Sequence, residues 1–377
     1  MNLLAFESKK FLSTKKNIIL MIFSLCLVVG NYLLITFFDD GAMQKNFYEM
    51  QASELANSVS ELELIVKNEP AAKTALEITK KEADILNTQV NALRQENWQI
   101  FLKKQIEYDK LQLKGMDLGT IPLEESQIRD VHKAIALNTY LYENNLKPDI
   151  AGADKQGINY TYSFLATISP FILIALILLL TIDVLNSEKQ HGTREFINTL
   201  PYSKWKIINT KIFIYIAYAL LLIFSMGLLS FIIGTIFNGV GDFNYPLISQ
   251  GISPEQLSIL TISTWILKYL LFTFLLILLL TLLTTCISTL IYNDFIVLTI
   301  SLILLFIPTV LSIYITAVQS HSEFFPIFYM NFNSLINGDT ALLNSHLTYT
   351  NSLICFIVYS LVLYLILIFN ILRRKKI

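Results

Sequence analysis

The stretch YLLFTFLLILLLTLLTTCIST, from Tyr269 to Thr289, runs for 21 residues without a charged side chain. The hydrocarbon core of a bilayer is roughly 30 Å thick, and about 20 helical residues cross it. Backbone groups inside hydrocarbon must bond within their own segment, which makes such a stretch a helix. Working outward, it extends to 259–289, and five more stretches reach the same length: 17–38, 160–182, 207–236, 294–318 and 350–371. The chain of 377 residues is 54% hydrophobic and 15% charged, with a mean hydropathy of +0.55. That is too apolar for a water-facing surface, and the expected class is an all-α membrane protein with six transmembrane helices.

Basic residues near span ends set the orientation. Lys9, Lys10, Lys15 and Lys16 precede the first span, Lys189, Arg194, Lys204 and Lys206 lie between the second and third, and Arg373 to Lys376 follow the sixth. The loops at 237–258 and 319–349 hold no lysine or arginine. Six spans and this asymmetry agree on cytoplasmic termini, with residues 39–158 outside; the expected location is a bacterial plasma membrane. The 319–349 loop is external and in part re-entrant, and 372–377 is a basic cytoplasmic tail. Trp265, Lys268 and Tyr269 read as an interfacial group, with Lys268 reaching the outer surface; a lysine on an ion path is the sharper alternative. Asn293 or Asp294 is placed to cap the fifth helix, and Pro308 to kink it. Residues 1–16 mix Leu4, Phe11 and Leu12 with lysines, the pattern of an amphipathic helix on the inner membrane surface.

Residues 39–158 differ in kind, with 20 Asp and Glu against 14 Lys and Arg. Leu76, Ala83 and Val90 form one heptad row and Leu86, Leu93 and Ile100 another, predicting one long helix over Ala71 to Leu113. Helices at about 43–67 and 124–146 complete an extracytoplasmic, coiled-coil-like bundle between spans one and two. It serves either as a passive spacer or dimer strut, or as a lid or reception surface over an exit path. Trp98 and Phe101 read as its core. Cys26, Cys286 and Cys355 sit in apolar runs and read as packing residues.

The loop at 183–206 is longer than a simple connection needs. Gly192-Thr193 can end one helix and cap the next, Phe196, Ile197 and Leu200 recur at helical spacing, and Pro201 stops the helix. The expected product is a short amphipathic helix between two spans, suited to passing a push from a soluble partner.

These residues resemble the permeases of type-2 ATP-binding-cassette (ABC) exporters. That pattern is an acidic residue, Gly-Thr, Leu-x-x-Pro-x-Ser-Arg/Lys, and a lysine opening the next span. Here it is met by Glu188, Gly192-Thr193, Leu200-Pro201, Ser203-Lys204 and Lys211. The likeness covers nearly everything except 39–158, where most members have a short loop and a subset has a large external insertion. It implies that Arg194 to Leu200 is the coupling helix. Glu188, Gly192, Thr193, Arg194, Glu195, Phe196, Leu200, Pro201 and Lys204 would then face a separate nucleotide-binding subunit. Two permeases, identical or related, and two ATPases would make the exporter, with ATP and magnesium on the partner subunits and no cofactor or nucleic acid on this chain.

No glycine opens a Gly-x4-Gly-Lys-Ser/Thr loop, so nothing here cradles nucleotide phosphates. His132, His191, His321 and His346 show no metal-ligand spacing. The chain therefore reads as non-catalytic. Thr281, Thr285 and Ser288 share one face of the fourth span, and Ser230 and Gly234 pair on the third. They serve span packing or a substrate path. The spans hold no firmly placed charge, which favours an amphipathic cargo over an ion. An antimicrobial peptide, a drug or a lipid-like molecule fits, for self-immunity or resistance. The alternative from another class is a membrane sensor or scaffold with a ligand-binding external helical domain.

Overall fold

The computed structural model describes residues 3–38, 41–69, 72–119, 121–122, 124–168, 170–190, 201–250, 257–342 and 344–373. Its helices in chain order are α1 (Leu3–Ser13), α2 (Lys15–Phe38), α3 (Gly41–Val66), α4 (Lys73–Arg94), α5 (Trp98–Asp117), α6 (Glu125–Glu143), α7 (Gly157–Thr167) and α8 (Pro170–Thr181). There follow α9 (Ser187–Gln190), α10 (Lys204–Asn238), α11 (Ile262–Leu290), α12 (Asp294–Tyr314), α13 (Thr316–Ser320), α14 (Phe332–Ile336) and α15 (Tyr349–Arg373). Two compact units contain them: Met1–Gly30, Phe164–Ser230 and Trp265–Ile377 in one, Asn31–Ser163 and Phe231–Thr264 in the other.

Among the described residues five helices, α2, α10, α11, α12 and α15, are long and apolar enough to cross a membrane, and α7 with α8 makes a sixth if the bent pair counts as one span. The sequence predicted one unbroken helix over 160–182. Pro170 opens α8 instead. Proline suits the first helical position, where its missing N–H has no partner to lose, and disfavours helix in the residue before it.

In the first unit α11 is central: 72% of its most apolar window is buried, against 17% for α12. Phe295, Ile313 and Leu365 stay largely exposed, which lipid accommodates and water does not. Trp265 and Tyr269 are fully buried and stack with ring centroids 5.2 Å apart. Four residues apart, they share the inward face of α11, and Tyr269 meets Phe332 of α14 edge-on at 5.9 Å. Helical phase turns both rings inward, onto the core of this unit. Lys268 lies over the Tyr349 ring at 5.5 Å, and the Tyr349 hydroxyl donates to the Lys268 carbonyl at 2.8 Å. Pro308 lies inside α12, and Asn293 caps that helix by accepting from Phe295 and Ile296 N–H. The 319–349 stretch is built of short helical pieces, among them α14.

In the second unit α3 packs on α4, α4 on α5 and α5 on α6. The single helix predicted over 71–113 is two. Glu96 adopts φ of +54°, and the Asn97 side chain accepts from Ile100 N–H to cap α5, so the chain turns back at 95–97. The turn resets the helical phase: Leu86 and Leu93 are buried, whereas Ile100, next in the same row, is 42% exposed. Phe101 and Leu102 take the core positions in α5, and Trp98 is half-buried.

The second unit also holds a feature absent from an all-α reading. Pro246–Gln250 (β1) pairs antiparallel with Leu257–Thr261 (β2), Ile248 opposite Ile259. Residues 259–261, read as the start of the fourth span, therefore belong to a strand. Elsewhere in this unit, Gly157 and Gly234 let two helices touch. A Cβ on Gly234 would sit 2.8 Å from Gly157 Cα, and one on Gly157 would sit 3.0 Å from the Phe231 carbonyl oxygen. Both clashes are with backbone, so no rotamer change relieves them.

Inside the bundle runs a chain of polar groups. Gln89 Nε2 donates to Gln105 Oε1 at 2.7 Å, and Gln105 Nε2 donates to Asp109 Oδ1 at 2.8 Å. Gln89 is fully buried and Asp109 only 5% exposed. Burial pushes the Asp109 carboxyl up to about 6, against the pull of Gln105 and Asn138, and burial also raises Glu82. A carboxyl raised on folding favours the native state when protonated. That stability is full below the unfolded value, near 4, and is lost as pH rises through about 6. Thermal unfolding of the purified protein should thus show a gain between pH 7.5 and pH 5 that shrinks in Asp109→Asn by about 1 kcal/mol. Equal pH profiles for the two proteins would refute the assignment.

Candidate functional site

Leu3, Glu7 and Phe11 recur every four residues, so they share one face of α1, and all three are buried. Phe11 stacks on Tyr218 of α10 with centroids 4.4 Å apart and meets Tyr215 edge-on at 5.0 Å. Ser8 Oγ and the Tyr218 hydroxyl share a hydrogen bond of 2.6 Å. The amphipathic reading of residues 1–16 is corrected on one point. Leu4 and Leu12 are 44% and 45% exposed, but Phe11 is turned onto α10 and Glu7, at the centre of the buried face, is 3% exposed.

A carboxylate there requires a partner. It is Lys211 of α10, 3.4 Å from Glu7 Oε1 and itself 1% exposed. Lys211 Nζ also donates directly to Glu188 Oε1 in α9. Lys10 reaches the same Glu188 oxygen at 3.4 Å. Two carboxylates thus hold one buried ammonium, and a second ammonium sits at the rim. Burial, then the charge of Lys211, lowers Lys10 from the ordinary lysine value, while Glu188 and Glu7 oppose the shift.

A second pair lies beside the first. Lys16 Nζ is 2.8 Å from Asp183 Oδ1 and donates to the Leu179 carbonyl at 2.7 Å. Asn186, fully buried, donates to Asp294 Oδ1 at 2.7 Å, tying the same loop to the first turn of α12. Three acids, Glu7, Asp183 and Glu188, thus face three lysines. The chain leaving α8 is fastened to α1, α2, α10 and α12 before the 191–200 segment begins.

Of the residues singled out in the sequence, Glu188 and Lys211 are brought together. Pro201 and Lys204 are exposed. Gly192, Thr193, Arg194, Glu195, Phe196 and Leu200 lie outside the described residues. Thr281, Thr285 and Ser288 are buried. Thr281 Oγ1 donates to the Ile277 carbonyl and Thr285 Oγ1 to that of Thr281, while Ser288 Oγ reaches the Ile182 carbonyl at 3.5 Å. Ser230 is buried and donates to the Gly227 carbonyl; Gly234 makes the helix contact described above. Glu7, Lys16, Asp183, Asn186 and Tyr215 were missed. For Glu7 a signal existed, its four-residue spacing from Leu3 and from Phe11.

Among known proteins, a family model described as ABC-2 family transporter protein matches residues 15–369. No curated protein matches this chain, and no solved structure does.

Removing one member of a buried ion pair strands the others, at about 3–5 kcal/mol, whereas replacing all of them by neutral groups is often tolerated. Lys211→Met should therefore lower the thermal stability of the detergent-solubilised protein sharply. Adding Glu7→Gln and Glu188→Gln to it should recover most of the loss. A Lys211→Met protein as stable as wild type would show that the three charges do not depend on one another.

Proposed function

The chain belongs to the ABC-2 transporter family, and we propose that it is the membrane-spanning permease subunit of an ATP-driven exporter. Family membership implies an ATPase partner and a transport role rather than catalysis by this chain. On our reading two copies of a nucleotide-binding subunit hydrolyse ATP, and two permeases, this chain twice or with a related one, carry an amphipathic substrate outward. The cargo class, a peptide, drug or lipid-like molecule, follows from spans without firmly placed charge.

One observation supports the coupling assignment above all. The segment leaving α8 is anchored through Glu188 to a lysine that is 1% exposed and through it to α1. A connector under no load needs no such anchor, because burying three charges costs more than leaving them in water. We read 183–206 as the coupling loop, with Arg194 to Leu200 seated on the ATPase and the Glu188–Lys211–Glu7 group passing its displacement to α1 and α10. Thr281, Thr285, Ser288, Ser230 and Gly234 fit helix packing on this reading, since each is satisfied within or between helices.

Two experiments test the proposal. Impermeant thiol reagents should label cysteines at Ser203 and Ser126, both exposed, from opposite sides of the membrane. Labelling of both from one side ends the six-span topology with an external 39–158 bundle.

The second experiment is copurification with the partner ATPase. Phe196→Ala should weaken association by about 2 kcal/mol or more, as expected for an aromatic anchor at an interface. Trp98→Ala, in the 39–158 bundle, should leave it intact. Glu188→Ala should keep some assembly while uncoupling hydrolysis from transport. Full assembly and transport in both loop variants would reduce 183–206 to a connector and favour the sensor alternative.

A further inference from the structure

A groove of about 660 Å³ opens between α1 and the first turns of α10, within the size range of ligand pockets. Leu4, Trp205, Lys206, Asn209, Thr210 and Phe213 line it, and among the described residues no carboxylate does. Leu3 and Tyr202 add apolar lining and pack with the buried Ile207 behind them. Leu4 and Phe213 remain 44% and 60% exposed.

The order of these groups along the helix is informative. Lys206, Asn209 with Thr210, and Phe213 follow at helical spacing on one face of α10, so the lining passes from cationic to polar to apolar over about 10 Å. Lys206 belongs to the end at which this candidate span begins. Its ammonium lies 4.9 Å from the centre of the Tyr202 ring and is otherwise exposed to solvent. A molecule that fits must be anionic at one end, able to accept hydrogen bonds below that, and aliphatic beyond. It must also lie parallel to a membrane-crossing helix.

We propose that this groove binds one anionic phospholipid from the leaflet at the Lys204 end of α10, with its phosphate at Lys206 and Asn209 and an acyl chain along Leu4 and Phe213. The lipid then contacts α1 and α10, the two helices whose register the Glu7–Lys211 pair also fixes. Anionic lipid therefore holds α1 in place from outside, as the ion pair does from inside. The inference needs α10 to cross the membrane but not the export assignment, so either can fail alone.

Native mass spectrometry of the purified full-length protein, titrated with phosphatidylglycerol and with phosphatidylcholine of the same acyl chains, reads the proposal directly. Phosphatidylglycerol should bind more tightly. Lys206→Gln should weaken it about fivefold, the equivalent of about 1 kcal/mol for one basic residue at an anionic surface. Lys204→Gln, on the same helix end but outside the lining, should change little. Brominated phosphatidylglycerol should quench Trp205 fluorescence more than brominated phosphatidylcholine does, judged against a Trp205→Phe protein, and this needs no charge variant to fold. Equal affinity for the two lipids, equal losses at Lys204 and Lys206, or equal quenching would overturn the site and leave a surface for bulk acyl chains or for a protein partner.

Discussion

Lys211 is 1% exposed, and a lysine so placed either keeps a carboxylate beside it or gives up its charge. Here it has two, from parts of the chain far apart in sequence: Glu7 in α1 and Glu188 in α9. This constraint explains much that is otherwise arbitrary about one end of the unit. It places α1 along α10 with Phe11 stacked on Tyr218. It brings the chain beyond α8 back across the base of α10, and Lys16 with Asp183 repeats the arrangement one step away. Apolar packing alone tolerates small slips, because its energy depends on area more than on direction. Charge-assisted hydrogen bonds between buried partners do not.

The buried polar groups of the second unit are of another kind. In the bundle, Gln89, Gln105 and Asp109 form a chain of hydrogen bonds in which amides do most of the donating. A single carboxyl sits at its end with no ammonium among the groups that perturb it. Such a network specifies which helix faces meet while asking little of any one bond. The bundle thus stays ordered without a disulfide, and the three cysteines are free thiols. Ion pairs fix the loop end and amides fix the bundle; under the proposed function the first would carry load and the second keep shape.

Much of this was legible in the sequence because lipid and helical period leave few choices. The apolar stretches are helices close to where hydropathy put them, with α10 over Lys204–Asn238 and α11 over Ile262–Leu290. What the sequence concealed has physical causes that can be named. The turn at 95–97 rests on Glu96 entering the left-handed region and on one cap from Asn97, features too local to interrupt a heptad row. The strand Leu257–Thr261 reads, as Leu-Ser-Ile-Leu-Thr, equally well as the first turn of an apolar helix. Glu7 was hidden by its own type: a glutamate in a lysine-rich segment is assigned to solvent, although its spacing from Leu3 and Phe11 put it on their buried face, and the position of Lys211 in space supplies its partner.

The site has a consequence for how movement would spread under the proposed function. A displacement of the segment beyond Glu188 can be absorbed by breaking the Lys211 contact or transmitted by keeping it. Breaking it leaves two carboxylates and an ammonium buried without full compensation, at a cost of about 3–5 kcal/mol, which is a large share of the free energy holding a domain together. Keeping it requires only that α1 and α10 shift with the loop. Transmission is therefore the cheaper path. The N-terminal helix, which hydropathy assigns to the membrane surface, becomes a working part: through Glu7 it adds a second lever to any push delivered between the second and third spans.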